Sequence, residues 1–217
     1  MPAPPSPRPA PAPPTRTGLA ALLLACAALA GCGTDAAEPL DQAALRASWG
    51  QWVESRDSLF RSAGSPLPPP ARAEFDGLPY FAYDSALAVP AALVPTLSQD
   101  TVRFPTTSGE LRPMITAGHL VFTAGGVQRR LEAFQTLDDG PLRLFVPFRD
   151  ATSGRETYGG GRYLDVDLEP SGRYALDLNR AYHPYCVYDA SFSCPLPPPE
   201  NRLELPVTAG ERLPTAP

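Results

Sequence analysis

The sequence predicts a mainly-β domain, an antiparallel β-sandwich or barrel built from short hairpins, with one amphipathic helix at its N-terminal side. Three observations carry this expectation. Beyond residue 73, short apolar and aromatic runs recur with Gly, Pro, Asp and Ser clusters between them, the signature of strands and turns. The connections are shorter than the dozen or so residues that a parallel crossover needs, so neighbouring strands should run antiparallel. The one run at helical spacing, residues 41–64, lies ahead of the strands.

The chain begins "MPAPPSPRPAPAPPTRTGLAALLLACAALAGC", in which Arg8 and Arg16 are the only charged side chains before Cys32. A basic leader, an apolar run from Leu19 to Leu29 and small residues before a cysteine read as a secretory signal. The run is too short to span a bilayer, which takes about 20 apolar residues. Its end, "LAGC", resembles the lipobox of bacterial lipoproteins. Residues 1–31 are therefore expected to be a signal peptide, and Cys32 the lipidated first residue of a tether over 32–40. Buried acyl CH2 groups stabilise such an anchor by about 0.8 kcal/mol each. This places the remainder, 41–217, as a single domain in the cell envelope, anchored by lipid to a membrane and outside the cytoplasm.

Within that domain, Asp41 is suited to cap a helix over 41–64 whose apolar stripe is Leu45, Trp49, Trp52, Val53, Leu59 and Phe60, with Gly64 and Pro66 ending it. The Trp pair reads as packing before it reads as a sugar or lipid platform. "SPLPPPAR", residues 65–72, is an extended proline-rich connector. The β-rich region, 73–217, offers strands at 78–84, 101–106, 119–124, 127–134, 142–148, 162–168, 173–179 and 203–209. Gly125-Gly126, Asp138-Asp139-Gly140 and Pro170-Ser171-Gly172 are among the breaks.

Charge excludes one class of partner. All basic residues are arginines, and losing the two in the leader takes the net charge from −5 to −7. No basic stripe is left for nucleic acid. The membrane contact is expected through the lipid on Cys32 alone. Of four cysteines, Cys26 leaves with the signal and Cys32 takes the lipid. Cys186 and Cys194 are expected to form a disulfide in an oxidising compartment, worth about 2.5 kcal/mol in the chain-entropy model. A metal reading with His119 and His183 is weaker, because His-x2-Cys-x7-Cys lacks the paired spacing of zinc modules. Neither a metal nor any other cofactor is expected. No G-x-S-x-G surrounds a serine, and the triple glycine 159–161 is not followed by the Lys-Ser/Thr and helix of a phosphate loop.

The densest polar stretch is "PFRDATSGRETYGGGRYLDVDL", Pro147 to Leu168. It leads into "RYALDLN", 173–179. Pairing these two strands as a hairpin with apolar faces matched sets Asp165 opposite Asp177 in one register, and like charges so placed repel. One resolution is a charge network in which arginines neutralise the pair and pin the 149–162 loop. Another is a pocket that binds a small polar ligand or performs acid–base chemistry. A third is a register slipped by two, in which the aspartates never meet. The candidate ligand-binding residues are Arg149, Arg155, Tyr158, Arg162, Asp165, Asp177, Arg180 and Tyr182.

"PFRDATSGRETYGGGRYLD" and "LDLNRAYHPYCVYDASFSCPLPPPENRLELPVTAGE" together resemble the domain-of-unknown-function 1684 family of bacteria and archaea, with "GLPYFAYD" a looser match further upstream. The resemblance implies a shared fold and often a lipoprotein signal. It brings no activity. The family pattern has Asn where this chain has His183, which speaks against a metal role for that residue. The expected function is a lipid-anchored envelope protein acting as a non-catalytic binding or structural module for a small ligand or protein partner. The alternative is an extracytoplasmic enzyme, such as a hydrolase, using a pocket around Asp165 and Asp177.

Overall fold

Asp41 does cap the first helix: its carboxylate accepts hydrogen bonds from the Ala43 and Ala44 amides at 3.0 Å each. Helix α1 then runs Gln42–Arg61 and stops at Ser62, whose N–H returns to Leu59 O. These features come from a computed structural model, which describes Met1 and residues 39–136 and 143–214. Residues 2–38, which hold the expected signal peptide beyond Met1, the expected lipobox and Cys32, lie outside the described residues. Among the described residues, no helix is long and apolar enough to cross a membrane. Part of the proline-rich connector is not extended: Pro69–Ala73 forms the short helix α2, with proline at its first turn, where the missing N–H costs nothing.

Seven strands follow: β1 Ala88–Pro95, β2 Thr101–Pro105, β3 Leu111–Ala124, β4 Val127–Thr136, β5 Arg143–Phe148, β6 Arg162–Asp167 and β7 Arg173–Asp177. All pair antiparallel in one curled sheet, a half-barrel of order β6-β5-β4-β3-β1-β7, with β2 joined to the first half of β3. Curling lets one face close on itself. Leu120, Phe122, Leu131, Leu144, Val146, Leu164, Val166, Leu176 and Leu178 fill its interior. Phe104, Met114, Phe134, Phe145, Tyr163 and Cys194 form a second apolar cluster.

Strand β3 contributes to both clusters. Met114 and Leu120 have the same parity, so a regular strand would turn both to one face. A β-bulge between Thr116 and Gly118 exchanges the faces midway. Gly118 makes the bulge possible: its φ is +138°, and a Cβ there would sit 2.2 Å from Val94 O.

Several expectations are corrected. Residues 78–84 and 203–209 are not strands; Tyr80 makes a single bridge to Glu211, and the tail after β7 is irregular. Strand β1, with Pro90 and Pro95, was not expected. Leu93 N donates to Gly172 O across the β1–β7 pair, so by alternation the Pro90 nitrogen turns toward β3, whose pairing with β1 begins only at Ala91↔Phe122. The β6–β7 hairpin is also absent. Asp165 faces Phe145 on β5, and Asp177 faces Ala88 on β1. The two strands are the opposite edges of the sheet, and the 168–172 connection crosses the mouth between them. Their apolar faces are as expected, since Leu164, Val166, Tyr174 and Leu176 all point into one core.

Candidate functional site

The tail after β7 is held by side chains in place of a ladder. Arg162, fully buried on β6, donates to Ala209, Glu211 and Val207 carbonyls and to Asp150 Oδ2 at 3.0 Å. Asp150 Oδ1 accepts from Thr152 N and Val207 N. Asn201, also fully buried, bridges β4 and β5, whose pairing among the described residues is Phe134–Phe145. Its amide donates to Glu132 O and Pro147 O and accepts from Glu132 N. Pro147 has no N–H to offer, so Asn201 supplies what the ladder lacks.

A second buried cluster joins helix α1 to this tail. The Glu211 carboxylate, 1% exposed, accepts from Arg56 Nε at 2.9 Å and Nη2 at 2.6 Å, from His183 N at 2.7 Å and from Tyr188 Oη at 3.0 Å. Burial raises its pKa, while Arg56 and the other donors oppose that rise. Four donors and no acceptor hold it as a carboxylate. Burial alone would lower the Arg56 guanidinium; Glu211 beside it carries the net shift upward. His183, 1% exposed, is depressed to about 3, first by burial and then by Arg162 and Arg56. Its Nε2 accepts the Tyr158 N–H at 3.3 Å, so the proton of the neutral ring is on Nδ1 and no lone pair is left for a metal.

On the face of the sheet that carries Phe145 and Tyr163 lies an open groove of about 1120 Å3. Trp52 and Leu59 of α1 form one side, and residues 184–195 with Phe192 form another. Tyr182 lies in the floor with Arg56 stacked 4.7 Å from its ring centre and its hydroxyl donated to Asp165 at 3.0 Å. Charges in the groove come in partnered sets: Arg56 with Glu211, Arg143 with Asp167 at 3.0 Å, and Arg112 on the Ser193 carbonyl at 2.9 Å. Cys194 also lines the groove, its thiol pushed up to about 12 by burial and by Cys186. The two cysteines are separate thiols here, with the Cys186 amide donating to Cys194 Sγ at 3.2 Å.

A smaller cleft of about 200 Å3 opens in the seam between edge strands β6 and β7 and is roofed by Leu45 and Ser48 of α1. Both cavities share Asp165 and Asp167.

Most of the candidate residues read from sequence are scattered. Arg162 is structural. Arg149 bridges the tail through its backbone, which bonds Asn201 O and Leu203 N. Arg155 is exposed and caps its own loop at Ala151 O. Tyr158 covers His183. Asp165 and Tyr182 meet in the groove, while Asp165, Asp177 and Arg180 line the seam, Arg180 bonded to Ser48 O and Oγ. The 149–162 loop is pinned to the tail by Asp150 and Arg162, not by Asp165 and Asp177. The triple glycine serves close approach: Gly161 has φ +99°, and a Cβ would lie 2.6 Å from Phe148 O. Among the described residues, no group of three or more His, Cys, Asp or Glu is placed to hold a metal. Arg56, Glu211, Tyr188, Asp150 and Asn201 were not singled out by sequence, because their partners lie up to 155 residues away.

The model of a protein family described as "Protein of unknown function (DUF1684)" matches residues 73–212. An uncharacterised protein of Haloarcula marismortui, whose structure was solved by solution NMR, shares 38% identity over 80% of this chain and 96% of its own, with a TM-score of 0.64. The residues matched by the family model lie within the compact unit Glu38–Pro217. No curated protein matches the sequence.

Proposed function

The chain belongs to the DUF1684 family of proteins of unknown function, and on that footing we propose that it is a lipid-anchored, non-catalytic binding module of the cell envelope. The observation that carries the reading is the groove. The rings of Trp52, Tyr185 and Phe192 line it, Arg56 and Arg143 are neutralised by Glu211 and Asp167, and Arg112 is held on a backbone carbonyl. Such a surface suits a small, uncharged, hydroxyl-bearing molecule: CH faces lie on the rings and hydroxyls bond to the paired arginine and carboxylate groups. One or two saccharide units are of the right size and chemistry.

The non-catalytic part rests on the state of the reactive groups. His183 is sealed away and accepts an amide proton, so it is no base for the groove. A thiol raised to about 12, as at Cys194, is not a nucleophile at neutral pH. The envelope part rests on the leader and on Cys32. An oxidising envelope would also join Cys186 to Cys194, whose sulfur accepts the Cys186 amide at 3.2 Å.

A thermal-shift panel of neutral mono- and disaccharides tests the reading. At a hundredfold excess over Kd a ligand stabilises by about 2.7 kcal/mol, a rise of about 5–10 °C for a domain of this size. The shift should vanish in Trp52→Ala. No shift with any neutral sugar, or turnover of one, would contradict it. For the anchor, an alkyne-labelled fatty acid should mark the full chain and not Cys32→Ala; equal labelling would refute the lipid site. Cys186 should resist alkylation under denaturing, non-reducing conditions, and its ready labelling would refute the bridge.

A further inference from the structure

The half-barrel is open along one seam, and the chemistry of that seam is unlike that of the groove. Tyr163 exchanges backbone hydrogen bonds outward with Tyr182. By alternation, the backbones of Asp165 and Asp167 turn to the same edge. On the other bank, the Leu93–Gly172 bond sets the opposite parity toward β1, so Ala175 and Asp177 turn their backbones to the seam. Carbonyl oxygens and N–H groups of both edge strands thus border the cleft.

Its side chains are mostly acidic. Asp165, Asp167, Glu169 and Asp177 line it, against Arg180 as the one cation among its described lining residues. Arg180 is committed to Ser48, and Asp167 to Arg143. Asp177 is the informative member. It is 6% exposed. Its Oδ1 accepts from the Asn179 backbone and side-chain amides at 3.0 and 2.8 Å, which fixes the carboxylate plane. Its Oδ2 is buried with no hydrogen-bond partner. A buried carboxylate oxygen without a donor is destabilising, and the residue that carries it lines a cleft with three further acidic side chains. A ligand that repairs this must bring donors and positive charge. A metal ion is a poor fit, since the described acidic groups do not converge into a coordination set. An organic cation needs only one end in the cleft.

We propose that the β6–β7 seam is a second binding site beside the groove, sharing Asp165 and Asp167 with it, which takes a primary ammonium group as a donor to Asp177 and the bordering carbonyls. The cleft, about 200 Å3, admits a short alkylammonium and excludes a bulky quaternary one, which also lacks N–H donors.

The experiment is a 1H–15N NMR titration of Glu38–Pro217 with butylammonium chloride, with tetramethylammonium chloride at equal ionic strength as control. Butylammonium should shift the amides of Val166, Ala175 and Asn179 in a saturable way, and tetramethylammonium should not. Asp177→Asn keeps an Oδ1 for Asn179 but puts an NH2 where the orphan acceptor was; it should weaken binding at least tenfold. Leu45→Trp, which leaves every carboxylate in place and fills the roof, should block it equally. Equal responses to the two cations would mean charge screening only. Unchanged affinity in Asp177→Asn would mean that an ordered water alone serves Oδ2. Either result overturns the proposal, and neither bears on saccharide binding in the groove.

Discussion

His183 makes the pH dependence of stability a test of the buried cluster. Unfolded, the imidazole takes up a proton near 6.5; folded, it resists until about 3. The folded state therefore binds fewer protons between these values, and stability falls as pH falls. At pH 4 the unfolded chain has gained about 2.5 units of protonation free energy at roughly 1.4 kcal/mol each, while the folded ring is still neutral. Set against the small cost already present at pH 7, the loss from pH 7 to pH 4 is about 3 kcal/mol. Glu211 and Asp177 act in the opposite sense. Burial raises both, so each contributes stability that is lost as pH rises through its folded pKa. His183→Asn separates these terms. Asn can accept the Tyr158 N–H, is never charged, and leaves both carboxyls in place. Urea midpoints at pH 7, 6, 5 and 4, with the m-value checked for constancy, should show the native protein losing about 3 kcal/mol more than His183→Asn. A constant offset between the two proteins is expected from the altered packing. Parallel pH profiles would refute the assignment of a buried neutral imidazole.

Other outcomes follow from the same contacts. Arg162→Met should cost about 3–5 kcal/mol by stranding Asp150 and three tail carbonyls, whereas exposed Arg155→Ala should stay within about 0.5 kcal/mol; urea unfolding reads both. Asn201→Ala should lose about 2–4 kcal/mol, because Glu132 N and O and Pro147 O all lose their partner. Its hydrogen-exchange protection should fall first at the β4–β5 junction. Gly118→Ala should destabilise by a comparable amount, as the bulge φ and the Val94 carbonyl both reject a Cβ; a neutral result would mean that the bulge is not fixed in solution.

The fold class was readable because it depends on local pattern. Turn residues at Gly125-Gly126 and the alternation in "RYLDVDL" and "RYALDLN" report which face of a strand is buried, whatever that strand pairs with. They carry no information on the partner. Nothing in the 168–172 connection distinguishes a tight hairpin from a chain crossing the open mouth of a half-barrel, so the register that sets Asp165 against Asp177 belongs to a ladder that does not exist. They still border one cleft, since both edges face it. Strand β1 was masked by Pro90 and Pro95, whose placement is harmless only in view of the neighbours they acquire. The groove and the Arg56–Glu211 cluster were hidden for a related reason. They join α1 to the last residues of the domain, and a lone Arg in a helix and a lone Glu near a terminus look like solvated surface until the fold brings them together.

The binding-module reading meets its most direct test in an NMR map of Glu38–Pro217 titrated with the neutral sugar that stabilises it most. The account predicts saturable shifts confined to Trp52 Nε1–H and to the amides of Tyr182, Tyr185 and Phe192, with Val166, Ala175 and Asn179 silent. Shifts absent from those four residues, or spread evenly over the surface, would contradict it.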